Sequence, residues 1–62
     1  MKRAQFLKHL HQHSCVLKRE GSGHTIYMNI ITGKKTSIPR HNEIENYLCN
    51  EICSQLEVPK IK

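Results

Sequence analysis

The chain predicts an α+β fold in the order α-β-β-β-α: a three-stranded antiparallel sheet with two helices on one face. Three observations predict it. An apolar stripe at helical spacing opens the chain, β-favouring runs separated by short glycine-bearing turns fill its middle, and apolar residues at four-residue intervals close it. The 62 residues carry no repeat, no low-complexity tract and no linker, so residues 1–62 read as one domain. A chain this short buries only about 60% of the surface it exposes when unfolded. Its core is expected from Phe6, Leu7, Leu10, Val16, Leu17, Ile26, Met28, Ile30, Ile38, Ile44, Leu48, Ile52 and Leu56. That is enough for one layer of helices on one small sheet and too little for an enclosed cavity, so binding is expected on the surface.

Phe6, Leu7 and Leu10 place the first helix at about Arg3 to His13. His9, His11 and His13 suggest a metal site, but residues two apart on a helix point about 200° away from each other. At most His9 and His13 share a face, and two ligands make no structural zinc site. Cys15 to Arg19 reads as a strand, and Gly21-Ser22-Gly23 as a turn whose glycines supply positive φ angles. Thr25 to Ile31, rich in β-branched and aromatic residues, is the strongest strand signal. Ile31 to Lys34 forms a hairpin turn, Lys35 to Ile38 returns, and Pro39, having no N–H for the ladder, stops that strand. Asn42 suits a helix N-cap, with Glu45 three residues on as its capping-box partner. Ile44, Leu48, Ile52 and Leu56 then predict an amphipathic helix of about fourteen residues. The sheet face away from both helices is left open for a partner.

The net charge is +5. Lys2, Arg3, Lys8, Lys18, Arg19, Lys34, Lys35 and Arg40 precede the second helix, whereas Glu43, Glu45 and Glu51 fall within it. That split favours a polyanionic partner, nucleic acid or an acidic protein, on one side of the fold. The three cysteines, Cys15, Cys49 and Cys53, cannot all pair within a monomer. With no signal-peptide pattern and no run near the ~20 apolar residues of a membrane span, they imply reduced thiols and a cytoplasmic location. Cys49 and Cys53, four apart on a helix, read as small apolar residues facing inward or sideways.

One segment looks built for something other than folding: Arg19-Glu20-Gly21-Ser22-Gly23-His24. It delivers an imidazole to the mouth of a strand just after a glycine turn. Imidazole titrates closer to neutrality than any other unperturbed side chain. Ser22 lies two residues away, and Lys18 and Arg19 are near enough in sequence to neutralise a phosphate. A lone histidine at a strand start usually has no role, so this signal is weak by itself.

A resemblance strengthens it. Gly21-Ser22-Gly23-His24-Thr25-Ile26-Tyr27 resembles the Gly-Ser-x-His element of the HicA toxins. The likeness continues in register from Met1-Lys2-Arg3 through Thr32-Gly33-Lys34, Ile38-Pro39-Arg40-His41 and Glu43-Ile44 to Ile52-Cys53, Leu56 and Pro59. It implies a double-stranded RNA-binding-domain-like fold, in agreement with the order read above. It also implies a ribosome-independent mRNA interferase, a HicB-like antitoxin partner, and His24 as the catalytic histidine. Where the family often has glycine this chain has Ser14 and Glu57, each just past a helix, where a left-handed residue is common.

The expected chemistry is metal-independent RNA cleavage with no cofactor. His24 serves as general base on the ribose 2′-hydroxyl or general acid on the leaving 5′-oxygen. Ser22, Arg19, Lys35 and Arg40 are candidate phosphate or RNA contacts, and Tyr27 is a candidate for stacking on a base. The second proton-transfer group is not identified. His41 is a candidate by chemistry, although its place beside Pro39 and Arg40 reads first as a residue near a helix cap. An acidic HicB-like antitoxin is expected to cover the His24 face. The alternatives are a non-catalytic double-stranded RNA-binding module and a decayed, inert toxin; a binding module tolerates His24→Ala.

Overall fold

The structure, a computed structural model, describes residues 1–21 and 23–61. Its elements are α1 (Arg3–Gln12), β1 (Cys15–Gly21), β2 (His24–Asn29), β3 (Lys35–Ile38) and α2 (Asn46–Leu56). The strands lie in the order β1-β2-β3, antiparallel throughout. Both helices face the same side of the sheet. Phe6 and Leu10 of α1 and Cys49, Ile52, Cys53 and Leu56 of α2 meet Cys15, Tyr27 and Ile38 in one core. The fold class expected from the sequence is therefore the observed one.

The alternation of β2 runs opposite to a hydrophobic reading. Thr25, Tyr27 and Asn29 point inward, while His24, Ile26 and Met28 take the open face. The inward polar groups are buried because each has a partner. Thr25 donates to Glu20 (2.8 Å), the Tyr27 hydroxyl meets His11 Nε2 (3.1 Å), and Asn29 Nδ2 donates to the Leu56 carbonyl (2.8 Å). Asn29 Oδ1 also accepts from the backbone N–H of Ile31 (2.9 Å), tying the β2–β3 turn to the end of α2. Hydrogen bonding removes the usual penalty for burying such groups. Val16, Leu17 and Ile30, expected in the core, are instead exposed, and Ile26 and Met28 are only half-buried.

The second helix also departs from expectation. Asn42 and Glu45 do not form a capping box. Glu45 is the N-cap, without a side-chain bond, and α2 has 11 residues. The segment before it pairs with the chain's start. Arg3 N–H donates to the Asn42 carbonyl (2.8 Å), Ile44 N–H to the Met1 carbonyl (2.9 Å), and Lys2 bridges Glu43. Backbone groups committed to that pairing are not free to open a helix. The buried stripe of α2 is thus Cys49, Ile52, Cys53 and Leu56, spaced i, i+3, i+4, i+7, with Leu48 at its flank and Tyr47 exposed. Burial pushes the thiols of Cys15, Cys49 and Cys53 up from their ordinary range. A group with a raised folded-state pKa stabilises below its unfolded value and loses that contribution as pH climbs. Melting temperature is therefore expected to fall once pH passes the free-thiol value of about 8.5. Equal melting curves at neutral and alkaline pH would count against this.

Ser14 (φ 68°) and Glu57 (φ 59°) both close helices in the left-handed region, as the sequence suggests. A side chain held there costs roughly 1 kcal/mol or more. Ser14→Gly and Glu57→Gly are each expected to raise the melting temperature, by about 4–8 °C per kcal/mol recovered in a domain of this size. A drop in both variants would show that the flexibility glycine adds to the unfolded chain outweighs the relieved strain.

Candidate functional site

β2 begins at His24, directly after Gly23, whose φ of +84° is easy only for glycine. No heavy atom lies within 4 Å of where a Cβ would stand on Gly23, so the requirement is backbone conformation rather than space. Strand alternation sends the His24 ring to the open face, exposed at the rim of the sheet.

The backbone beneath that ring is gripped from outside the hairpin. The Arg40 guanidinium donates to the His24 carbonyl (2.7 Å), the Gly21 carbonyl (2.7 Å) and the Thr25 hydroxyl (3.0 Å), and pairs with the Glu20 carboxylate. Thr25, which is 1% exposed, also accepts through Oγ1 from Arg3 Nη2 (3.4 Å), and Arg3 Nε donates to the Pro39 carbonyl (2.8 Å). Two distant stretches of chain, around Arg3 and around Arg40, thus converge on the end of the β1–β2 hairpin. The Arg40–Glu20 pair is half-exposed and contributes little by charge alone. The charge-assisted bonds to the two carbonyls and to the buried Thr25 hydroxyl matter more.

Removing the guanidinium by Arg40→Ala is expected to cost about 1–3 kcal/mol and to lower the melting temperature accordingly. Arg40→Lys is expected to recover little, because a point ammonium cannot reproduce the fork. A lysine variant that melts with the wild type would show that charge, not geometry, holds the hairpin.

Two surfaces flank His24. On the side of β3, a groove of about 640 Å³ runs between the sheet edge and α2; its lining includes His24, Ser37, Arg40, His41, Glu51 and Gln55. On the open sheet face, Lys18, Arg19 and Lys35 surround Ile26 and Ser37 in a shallow depression of about 450 Å³. Arg19 also lines a smaller hollow with Gly21, His24 and Ile26. The bulge between Leu17 and Arg19 leaves Lys18 unpaired, so successive basic residues fan out along this edge.

Of the candidate residues, His24, Arg19 and Lys35 therefore share one exposed face. Arg40 borders the groove on the β3 side, its Nε and Nη2 engaged by the hairpin. Ser22 lies outside the described residues. Tyr27 is corrected: it is 4% exposed, on the inner face, stacked on His11, and its ring is closed to a base. The motif around His24 gave no signal for Arg3, Glu20 or Thr25, because their partners lie up to 36 residues away. On α1, His9 packs on Phe6 and His13, with its Nε2 2.7 Å from the Pro59 carbonyl. Among the described residues no three His, Cys, Asp or Glu side chains converge as metal ligands, and no helix is long and apolar enough to cross a membrane.

No curated protein and no solved structure gives a significant match to the chain. A family model described as the HicA toxin of bacterial toxin–antitoxin systems matches residues 3–58 of the 62. The chain therefore belongs to the HicA toxin family, the toxin half of a toxin–antitoxin pair.

Proposed function

We propose that the protein is a cytoplasmic endoribonuclease, an mRNA interferase, that cleaves RNA by proton transfer at His24 without a metal ion. The observation that carries this reading is the setting of the imidazole. It stands exposed at the rim of a basic sheet face, while its own main-chain carbonyl is fixed by Arg40 at 2.7 Å. A ring free to meet substrate on a backbone that cannot wander suits general acid–base chemistry. Lys18, Arg19 and Lys35 supply positive charge beside it for the phosphates. The 2′-hydroxyl of RNA is the nucleophile within reach of such a ring, which makes the reaction selective for RNA over DNA.

The test is incubation of a labelled RNA with the purified protein in excess EDTA. Cleavage is expected, with a 2′,3′-cyclic phosphate on one product, and none is expected where the nucleotide at the cleavage position is 2′-deoxy. Activity that appears only with added divalent ion, or that cuts the deoxy-substituted strand equally well, would overturn the mechanism. Binding without cleavage under every condition would favour a non-catalytic RNA-binding module.

The same face suits the antitoxin. A HicB-like acidic protein laid over Lys18, Arg19, Lys35 and His24 silences the ring and is drawn to it by charge. Saturating antitoxin is expected to protect His24 from diethylpyrocarbonate. Unchanged reactivity of that histidine in the complex would place the antitoxin elsewhere.

A further inference from the structure

Cleavage through the 2′-oxygen requires two proton transfers, one at the nucleophile and one at the leaving oxygen. A single imidazole does not serve both in the same step. We propose that His41 is the second catalytic group, working across the groove from His24; this rests on the ribonuclease reading above.

The placement of the histidines points to it. The chain has five histidines. His9 and His13 pack together on α1 beside Phe6 and Pro59, and His11 is engaged with the buried Tyr27 hydroxyl. His24 and His41 are both exposed and both line the groove of about 640 Å³ between β3 and α2. The two are also tied together through the chain. His41 directly follows Arg40, and the Arg40 guanidinium holds the main-chain oxygen of His24. On the other side, Arg3 Nε bonds the Pro39 carbonyl at 2.8 Å, so the segment carrying His41 is anchored one residue before and two residues before the ring. The other charged groups facing the groove are Arg40, whose Nε and Nη2 hold the hairpin, and Glu51 from α2; β3 contributes the uncharged Thr36, Ser37 and Ile38. Both histidines thus border one groove, His24 from the rim of the sheet and His41 from the segment after β3.

The step balances without any other reactant. One ring, neutral, takes the proton of the 2′-hydroxyl as the 2′-oxygen forms its bond to phosphorus. The bond from phosphorus to the 5′-oxygen breaks, and the other ring, protonated, gives its proton to that departing oxygen. The products are a 2′,3′-cyclic phosphate and a 5′-hydroxyl, and exchange with water returns each ring to its starting form. A pair working in this way gives a bell-shaped dependence of rate on pH.

The experiment uses full-length His41→Ala and His41→Gln beside His24→Ala. Two oligonucleotides are compared: one RNA spanning a cleavage position mapped with the wild type, and the same RNA with sulfur replacing the 5′-oxygen at that position. Sulfur leaves without needing a proton. Both His41 variants are expected to melt with the wild type, since the ring is exposed, and to lose about 10²–10⁴-fold in kcat with KM little changed. One limb of the pH profile should vanish in them. On the sulfur oligonucleotide, one of the two alanine variants, the one lacking the general acid, recovers, and the other stays slow.

His41→Ala cleaving the ordinary RNA at the wild-type rate would overturn the proposal. So would a change confined to KM, or an identical response of the two alanine variants to sulfur. The parent reading fails separately: full activity in His24→Ala sinks it, whereas an inert His24→Ala beside an active His41→Ala sinks only the pairing.

Discussion

Replacing His24 by alanine is expected to slow RNA cleavage by about 10²–10⁴-fold, the usual contribution of a positioned general acid or base, and to abolish toxicity on induced expression. The fold should not suffer. Arg40 grips the main-chain oxygen of His24 rather than its ring, and the ring itself lies in solvent, so the substitution leaves the hairpin bonds in place. Melting curves of the two proteins should therefore superimpose, and RNA integrity on a gel after induction should separate them completely. A His24→Ala protein that degrades RNA as the wild type does would move the chemistry to another side chain. Superimposed melts are essential to the comparison, because an unfolded variant is inactive for a trivial reason.

The second large effect is on stability. Phe6 is fully buried where α1 meets the core. Phe→Ala at such a site typically removes about 3–5 kcal/mol. A domain of this size has roughly 3–9 kcal/mol in total, at about 0.05–0.15 kcal/mol per residue. Phe6→Ala is thus expected to lose its cooperative unfolding transition, or to melt near room temperature. The measurement is circular dichroism against temperature. Loss of less than about 1 kcal/mol would mean that neighbours such as Leu10 and Leu56 collapse into the space.

How far the sequence discloses these features depends on the range of the interactions behind them. Element order was legible because the spacing of Phe6 and Leu10, the run from Thr25 to Ile31 and the turn glycines are local signals, although the strand itself spans His24–Asn29. The left-handed ends at Ser14 and Glu57 were legible only through the resemblance, since the family often has glycine at both places. The face of β2 was not. Counting apolar residues selects Ile26 and Met28 as core, whereas Thr25, Tyr27 and Asn29 are buried because of partners on α1, on α2 and in the 39–41 segment. The start of α2 was hidden likewise, since the N-terminal residues occupy the backbone of Asn42 and Ile44. At the site, His24 was visible beside its glycine turn. The part of Arg40 as a clasp was not, because its partners precede it by 15 to 20 residues and nothing near it in sequence hints at them.

That clasp has a consequence for how the protein comes into being. β1 and β2 are complete by residue 29, yet the bonds that steady their far end wait for Arg40, nearly two-thirds of the way along the chain. A nascent polypeptide that has exposed only the first hairpin carries the imidazole on an unsupported tip. Competence arrives with the later segment, so a prematurely terminated product ending before that arginine is unarmed, and heating should extinguish activity together with the cooperative melt rather than ahead of it.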